Sequence, residues 1–69
     1  MYYAICKDLT PNRATVCQLH DSEDAARAAC AQLGATRLDI IAIRSQRPLA
    51  LGERIWHGCQ AEGVEVLRW

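Results

Sequence analysis

The sequence contains no phenylalanine, a single lysine and no hydrophobic run long enough to cross a membrane. Two tyrosines and two tryptophans therefore supply all the aromatic bulk of its 69 residues. The longest apolar stretch, residues 38–43, is interrupted by Asp39, whereas a spanning helix needs about 20 apolar residues. Eight basic residues balance eight acidic ones, which excludes a protein that coats nucleic acid or an anionic membrane through bulk charge.

Short motifs for catalysis and metal binding are also absent. The sequence has no Cys-x-x-Cys pair, no Gly-x-Ser-x-Gly, no glycine-rich phosphate loop and no His-Glu-x-x-His. His20 and His57 are the only imidazoles, and neither lies in a recognisable catalytic arrangement. A chain of this size also has little volume to enclose a substrate pocket of about 300 Å³. We therefore expect neither an enzyme nor a bound cofactor or metal ion.

The N-terminus lacks the features of a secretory signal. No basic segment precedes an apolar one in the first residues, so we expect an intracellular, cytoplasmic protein. In a reducing compartment the cysteines are expected to be free thiols. They are Cys6, Cys17, Cys30 and Cys59.

The length sets the number of domains and limits the stability. Residues 1–69 are expected to form one compact domain, because a second would have no core of its own. A domain of this size buries only about 60% of its unfolded surface. Disulfides, a metal, self-association or a partner commonly reinforce such small folds.

The first twenty residues predict a β-hairpin. Residues 2–8 and 14–20 alternate in polarity, and the Thr-Pro-Asn-Arg sequence at 10–13 favours a tight turn between them. A turn centred on its Pro-Asn pair places Cys6 opposite Cys17. The face expected to be buried under a helix consists of Ala4, Cys6, Cys17 and Leu19.

Four further elements follow the hairpin. The Asp-Ser-Glu-Asp sequence at 21–24 predicts the start of a helix, capped by Asp21 or Ser22, that runs to about Leu33, and Gly34 is a natural stop. Residues 38–43 predict a central strand, covered on both faces or covered on one face and paired with a second subunit on the other. Residues 49–61 predict a second, poorer helix, because Leu51, Ile55 and Cys59 recur at every fourth position. Residues 64–69 predict a final strand.

These elements predict an α+β domain with the order ββαβαβ. We expect a mixed four-stranded sheet with its helices packed mainly on one face. The chain is too short to supply a second layer on the other face. That face is therefore either polar or covered by something else.

The strands carry enough apolar and aromatic side chains to form an interaction surface. Tyr3 and Ile5 are expected to point away from the helices. An exposed sheet face of this composition is typical of protein interfaces, unless the second helix or the C-terminal tail folds over it. The apolar candidates are Tyr2, Tyr3, Ile5, Ile41, Ile43, Leu67, Trp69 and, beside the loop after the central strand, Trp56.

The sequence therefore favours a small protein–protein binding module that works as a homodimer. It would act by steric contact, as an accessory subunit or as an inhibitor of the kind that phages and mobile elements encode. Arg44, Arg47, Arg54 and the acidic residues near the helix start would orient the partner. No contact with a membrane is expected.

Two alternatives remain open at this point. A patch formed by Arg37, Arg44, Arg47 and Trp56 could bind nucleic acid through phosphate contacts and stacking. A thiol- or metal-binding module could instead use Cys6 and Cys17 with a histidine. Cys17 and His20, however, are three residues apart on one strand, so their side chains point to opposite faces.

Overall fold

The structure, a computed structural model, describes residues 1–10, 13–35, 37, 39–56 and 63–67. Within these residues the chain forms five strands and one helix. They are β1 (Tyr2–Thr10), β2 (Arg13–His20), α1 (Glu23–Gly34), β3 (Ile40–Ser45), β4 (Arg54–Trp56) and β5 (Val64–Leu67).

The strands form one curled sheet in the order β4-β2-β1-β3-β5, and all neighbouring strands are antiparallel. The predicted ββαβαβ fold with a mixed four-stranded sheet and two helices is therefore wrong. The expected strands at residues 2–8, 14–20 and 38–43 do occur, each with shifted bounds. The error lies in the direction of pairing and in the segment after β3.

The described part of the predicted second helix is a turn followed by a strand. The N–H of Glu53 donates to the carbonyl of Ala50 at 3.1 Å, and Gly52 between them has a φ of 81°. A positive φ at the third position is what a type II turn requires, and glycine adopts it without steric cost. Arg54–Trp56 then alternates between exposed and buried side chains, as a strand does. Residues 57–62 lie outside the described residues.

The first predicted helix is confirmed as α1. The Ser22 side chain accepts a hydrogen bond from the Ala25 N–H at 3.1 Å, and Glu23 and Asp24 stand in the first turn. This cap and these charges stabilise the positive end of the helix. Ala26 is fully buried, because small side chains on this stripe allow the helix to approach the sheet closely.

The side of the sheet that contacts α1, here called the helix face, includes residues predicted to point the other way. Ile5 and Ala42 are fully buried in one cluster with Leu67. Tyr3, Ile40 and the helix residues Ala29, Cys30 and Leu33 pack against this cluster. Tyr3 and Ile5 therefore lie beneath the helix, and the expectation that they oppose it is wrong.

The opposite side of the sheet, here called the inner face, is closed by the curl itself. Ile55 on one edge strand and Val64 on the other belong to the same buried cluster as Ile43. Residues 46–53 cross this face, and Leu49 packs against the cluster. Each fully buried isoleucine contributes roughly 2–3 kcal/mol to stability. The members of this cluster are Ala4, Cys6, Ala14, Val16, Ile43, Ile55 and Val64.

The central strand β3 is thus covered on both faces by its own chain, which confirms one of the two predicted alternatives. Its partners are β1 and β5. The argument that one helix leaves a broad apolar face for another chain to cover is wrong, because curling buries that face without a second layer.

The hairpin register changes at a β-bulge. Ala4 faces Leu19, as predicted, but Cys6 faces Val16 and not Cys17. Cys17 is an extra residue at the shift between Ile5 and Cys6, so the predicted Cys6–Cys17 pair is wrong. The Cys17 thiol donates to the Ile5 carbonyl at 3.3 Å and remains exposed.

Candidate functional site

The residues predicted as one apolar interface lie on different sides of the sheet. Ile5 and Ile43 are both fully buried, so a partner cannot contact either of them in the folded chain. Tyr3 and Ile41 are partly buried, on the helix face and the inner face respectively. Leu67, proposed with them, is 8% exposed under the helix. Trp69 lies outside the described residues.

Among the described residues of that predicted set, two aromatic side chains are exposed. Tyr2 is 46% exposed and Trp56 is 44% exposed. Tyr2 stands two residues before Ala4 on β1 and so belongs to the inner face. Trp56 faces Arg13 across β2, on the helix face, so the two rings lie on opposite sides of the sheet and cannot contact one partner surface together.

The arginines proposed to contact nucleic acid form ion pairs with carboxylates. Arg37 donates two hydrogen bonds to Asp39, at 3.2 and 2.9 Å, and this contact lowers the pKa of Asp39. Arg44 pairs with Glu65 and lies 3.7 Å from Glu23.

Arg47, the third of these arginines, forms an ion pair with Glu53. The structure therefore does not bring Arg37, Arg44, Arg47 and Trp56 together as one free cationic surface.

One stretch of strand backbone is open to another chain. The pairing of β4 with β2 covers only Arg13–Thr15, and residues 52 and 53 exchange backbone hydrogen bonds with Val16. Within the described part of the chain, no strand lies beside Cys17–His20 on the side away from β1. We call Cys17–His20 the β2 edge.

Apolar side chains flank the β2 edge. Leu19 is 48% exposed and lies opposite Ala4, so Tyr2 is its diagonal neighbour on the inner face. Leu51 is 65% exposed. It directly precedes Gly52, whose N–H donates to the Val16 carbonyl at 2.8 Å. Leu51 therefore lies alongside β2 where the β2 edge begins.

A second surface occupies the part of the helix face that α1 does not cover. Lys7, Thr15 and Arg54 face one another across β1, β2 and β4. Arg13 and Trp56 form the neighbouring row, and the Arg13 guanidinium lies 4.4 Å from the centre of the Trp56 ring. We call these five residues the basic face.

The basic face differs in its ion pairing from the rest of the described structure. Arg13 and Arg54 are exposed, and among the described residues no carboxylate lies within salt-bridge distance of either. The other four described arginines all pair with Asp or Glu. Lys7 lies 4.0 Å from Asp39, which Arg37 also neutralises. The face therefore presents excess positive charge beside an aromatic ring.

The cysteines do not form a site in the described structure. Burial, and then the nearby Cys17, Asp8 and Glu53, raise the pKa of Cys6 to about 12. A thiol of this pKa stays protonated and is a poor nucleophile or metal ligand. Among the described residues no three His, Cys, Asp or Glu side chains are placed to hold a metal ion. Cys59 and His57 lie outside that part of the chain.

Sequence reasoning missed Leu19, Leu51 and Arg13 as surface residues of interest. The alternation of polarity places Leu19 on the buried face, and the fourth-position pattern places Leu51 on the apolar stripe of a helix, whereas Leu51 lies in a turn. The available signal was Gly52: a turn there starts a new strand at Arg54. In that strand Ile55 faces inward and Trp56 outward.

No protein-family model matches this sequence, and no curated protein or solved structure is significantly similar to it. Within the described residues, no helix has the length and apolar character needed to cross a membrane.

Proposed function

We propose that this chain is a small protein–protein binding module that works as a homodimer joined through the β2 edge. The observation that carries the proposal is the open backbone of Cys17–His20 with Leu19 beside it. Two such edges pair antiparallel about a two-fold axis and extend the sheet from one subunit into the other.

The β2 edge has no charged side chain and no proline, two of the features that protect edge strands from pairing. Its bulge is confined to its first residue, Cys17. Cys17–His20 contains no Asp, Glu, Lys, Arg or Pro. The edge strand β4, by contrast, exposes Arg54, and β5 exposes Glu65. Self-pairing at β4 or β5 brings like charges together, whereas pairing at the β2 edge does not.

Side chains next to the β2 edge supply the apolar area that strand pairing alone does not provide. Leu19, Tyr2 and Leu51 are all about half exposed or more in the single chain. Leucine and tyrosine side chains that become buried at an interface each add favourable free energy. A dimer formed here leaves both basic faces uncovered. It would act on a further protein by steric contact, as an accessory subunit or an inhibitor.

Analytical ultracentrifugation tests this proposal on the full chain. The wild type is expected to sediment as a dimer at micromolar concentration. Gln18→Lys and Leu19→Lys place a charge on the edge and are each expected to weaken dimerisation at least ten-fold. Gln32→Lys makes the same chemical change on the exposed side of α1 and is expected to leave the dimer intact. A wild-type monomer at all concentrations, or equal weakening by Gln32→Lys, would contradict the proposal.

A further inference from the structure

We infer that the basic face is a binding site for single-stranded nucleic acid. This site is separate from the β2 edge and does not depend on the dimer. Its five residues are Lys7, Arg13, Thr15, Arg54 and Trp56.

The register places the cationic groups in two adjacent rows of one sheet surface. Lys7, Thr15 and Arg54 stand side by side on three neighbouring strands, which are about 4.8 Å apart. Arg13 and Trp56 lie two residues along the same strands and on the same face. A nucleic-acid strand that crosses β1, β2 and β4 therefore meets Lys7 and Arg54 at the two ends of one row and the Trp56 ring in the next row.

The positive charges of the basic face are exposed to solvent. Arg13 and Arg54 have no carboxylate partner among the described residues, in contrast to Arg27, Arg37 and Arg44. An exposed guanidinium held on a rigid sheet provides several N–H donors for the oxygens of a phosphate. A partner that offers closely spaced negative charges complements this arrangement.

The tryptophan distinguishes nucleic acid from other polyanions. Trp56 is 44% exposed although it is one of only two tryptophans in the chain. The Arg13 guanidinium lies over one face of the ring and adds a stacking surface of its own, because bases stack both on aromatic rings and on guanidinium planes. In a duplex the base faces are already stacked on one another. Single strands expose the base faces that this surface accepts.

The contact is expected to depend on salt to a modest degree. Each cation that neutralises a phosphate of a single strand contributes about −0.7 to the slope of log affinity against log salt. Three cations, Lys7, Arg13 and Arg54, therefore give a slope of about −2. Affinity then falls roughly twenty-fold between 50 and 200 mM salt.

Fluorescence polarisation with two labelled probes tests the inference on the full chain. One probe is a twenty-nucleotide thymidine oligonucleotide, and the other is an abasic deoxyribose-phosphate chain of equal length. The wild type is expected to bind the thymidine probe with the salt slope given above, and the abasic probe at least ten-fold more weakly. Polyglutamate is expected not to compete.

Variants with a matched control locate the site. Trp56→Ala is expected to lower affinity for the thymidine probe about ten-fold. Arg54→Ala is expected to reduce the salt slope by about 0.7. Arg27→Ala removes the same charge from an arginine paired with Glu23 on α1, and affinity should not change. Circular dichroism of each variant confirms that the fold is retained.

Four outcomes would overturn the inference. They are no binding of the thymidine probe at 50 mM salt, equal affinity for the abasic probe, effective competition by polyglutamate, and equal effects of Arg27→Ala and Arg54→Ala. Leu19→Lys separates this inference from the proposed dimer, because it changes the β2 edge and leaves the basic face intact.

Discussion

Arg47 and Glu53 form an ion pair that closes residues 46–53 into a loop over the inner face of the sheet. The same Glu53 carboxylate accepts the Ala50 N–H at 3.0 Å. The Glu53 carbonyl accepts the N–H of Val16 at 2.9 Å. One residue therefore fixes both the shape of the loop and its attachment to β2, and the loop covers the inner face together with the curl of the sheet.

The first prediction concerns the pH dependence of this loop. Hydrogen bonds from Arg47 and Ala50 lower the pKa of Glu53. A carboxyl with a lowered pKa in the folded state stabilises the fold above its ordinary pKa of about 4.3 and loses this effect as pH falls through the folded value. Glu53→Gln is expected to lower the free energy of unfolding by about 1 kcal/mol at pH 7. The difference should shrink below about pH 4.

Urea denaturation at pH 7 and at pH 3 measures this difference. Glu65→Gln is the control, because Glu65 also pairs with an arginine but its side chain is 63% exposed. Its effect should be at most a few tenths of a kcal/mol. A Glu53→Gln effect as small as that of Glu65→Gln at pH 7 would contradict the assigned role of Glu53.

The second prediction concerns the two glycines with positive φ. Gly52 has a φ of 81° and Gly63 a φ of 68°, a region that costs other residues about 1–2 kcal/mol. Gly52→Ala and Gly63→Ala should each lower stability by about that amount. Gly34→Ala is the matched control. It meets no atom within 4 Å and is expected to be neutral or to stabilise α1 by up to about 1 kcal/mol. Thermal denaturation of the three variants gives the comparison.

The third prediction tests whether both faces of the sheet are buried by this chain alone. Ile5→Val and Ile43→Val each remove one methylene from a fully buried side chain, on the helix face and the inner face respectively. Each should cost about 0.5–1.5 kcal/mol. These values should be the same under dilute conditions in which the chain is monomeric. A cost for Ile43→Val that appears only in the dimer would show that a second subunit covers the inner face.

The fourth prediction concerns thiol reactivity. Cys17 is exposed, whereas Cys6 is buried and its pKa is raised to about 12. Because the thiolate is the reactive species, iodoacetamide at pH 8 is expected to alkylate Cys17 well before Cys6. Peptide mass spectrometry distinguishes the two sites. Cys6 should react only after unfolding, and labelling of Cys6 at the rate of Cys17 would contradict the assigned register.

Local chemistry made part of this fold predictable from the sequence. The cap at Ser22 and the small-residue stripe of α1 act within one helix, so the sequence alone places the helix correctly. The alternation of polarity likewise locates β1 and β2, and the almost continuously apolar run at residues 38–43 locates β3. The sequence does not show which face of β1 lies under α1. Tyr3 and Ile5 on one face and Ala4 on the other are all apolar, so the pattern fits either orientation.

Two non-local features account for the errors in the candidate site. The bulge at Cys17 shifts the pairing by one residue, and nothing in the side chains around it signals this extra residue. The periodicity of Leu51 and Ile55 fits a helix, but Gly52 takes a positive φ and starts a turn. Pairing between β4 and β2 then places Trp56 next to Arg13. These two residues are far apart in the chain, so sequence patterns could not join them.

Backbone hydrogen exchange at two protein concentrations tests the central claim, that the β2 edge pairs with a second copy. At low concentration the peptide covering Cys17–His20 should exchange fast relative to β1. At high concentration it should gain protection, because its outward N–H groups acquire partners. The peptides of β4 and β5 should not change. Unchanged exchange at Cys17–His20, or concentration-dependent protection at β5 instead, would contradict the account.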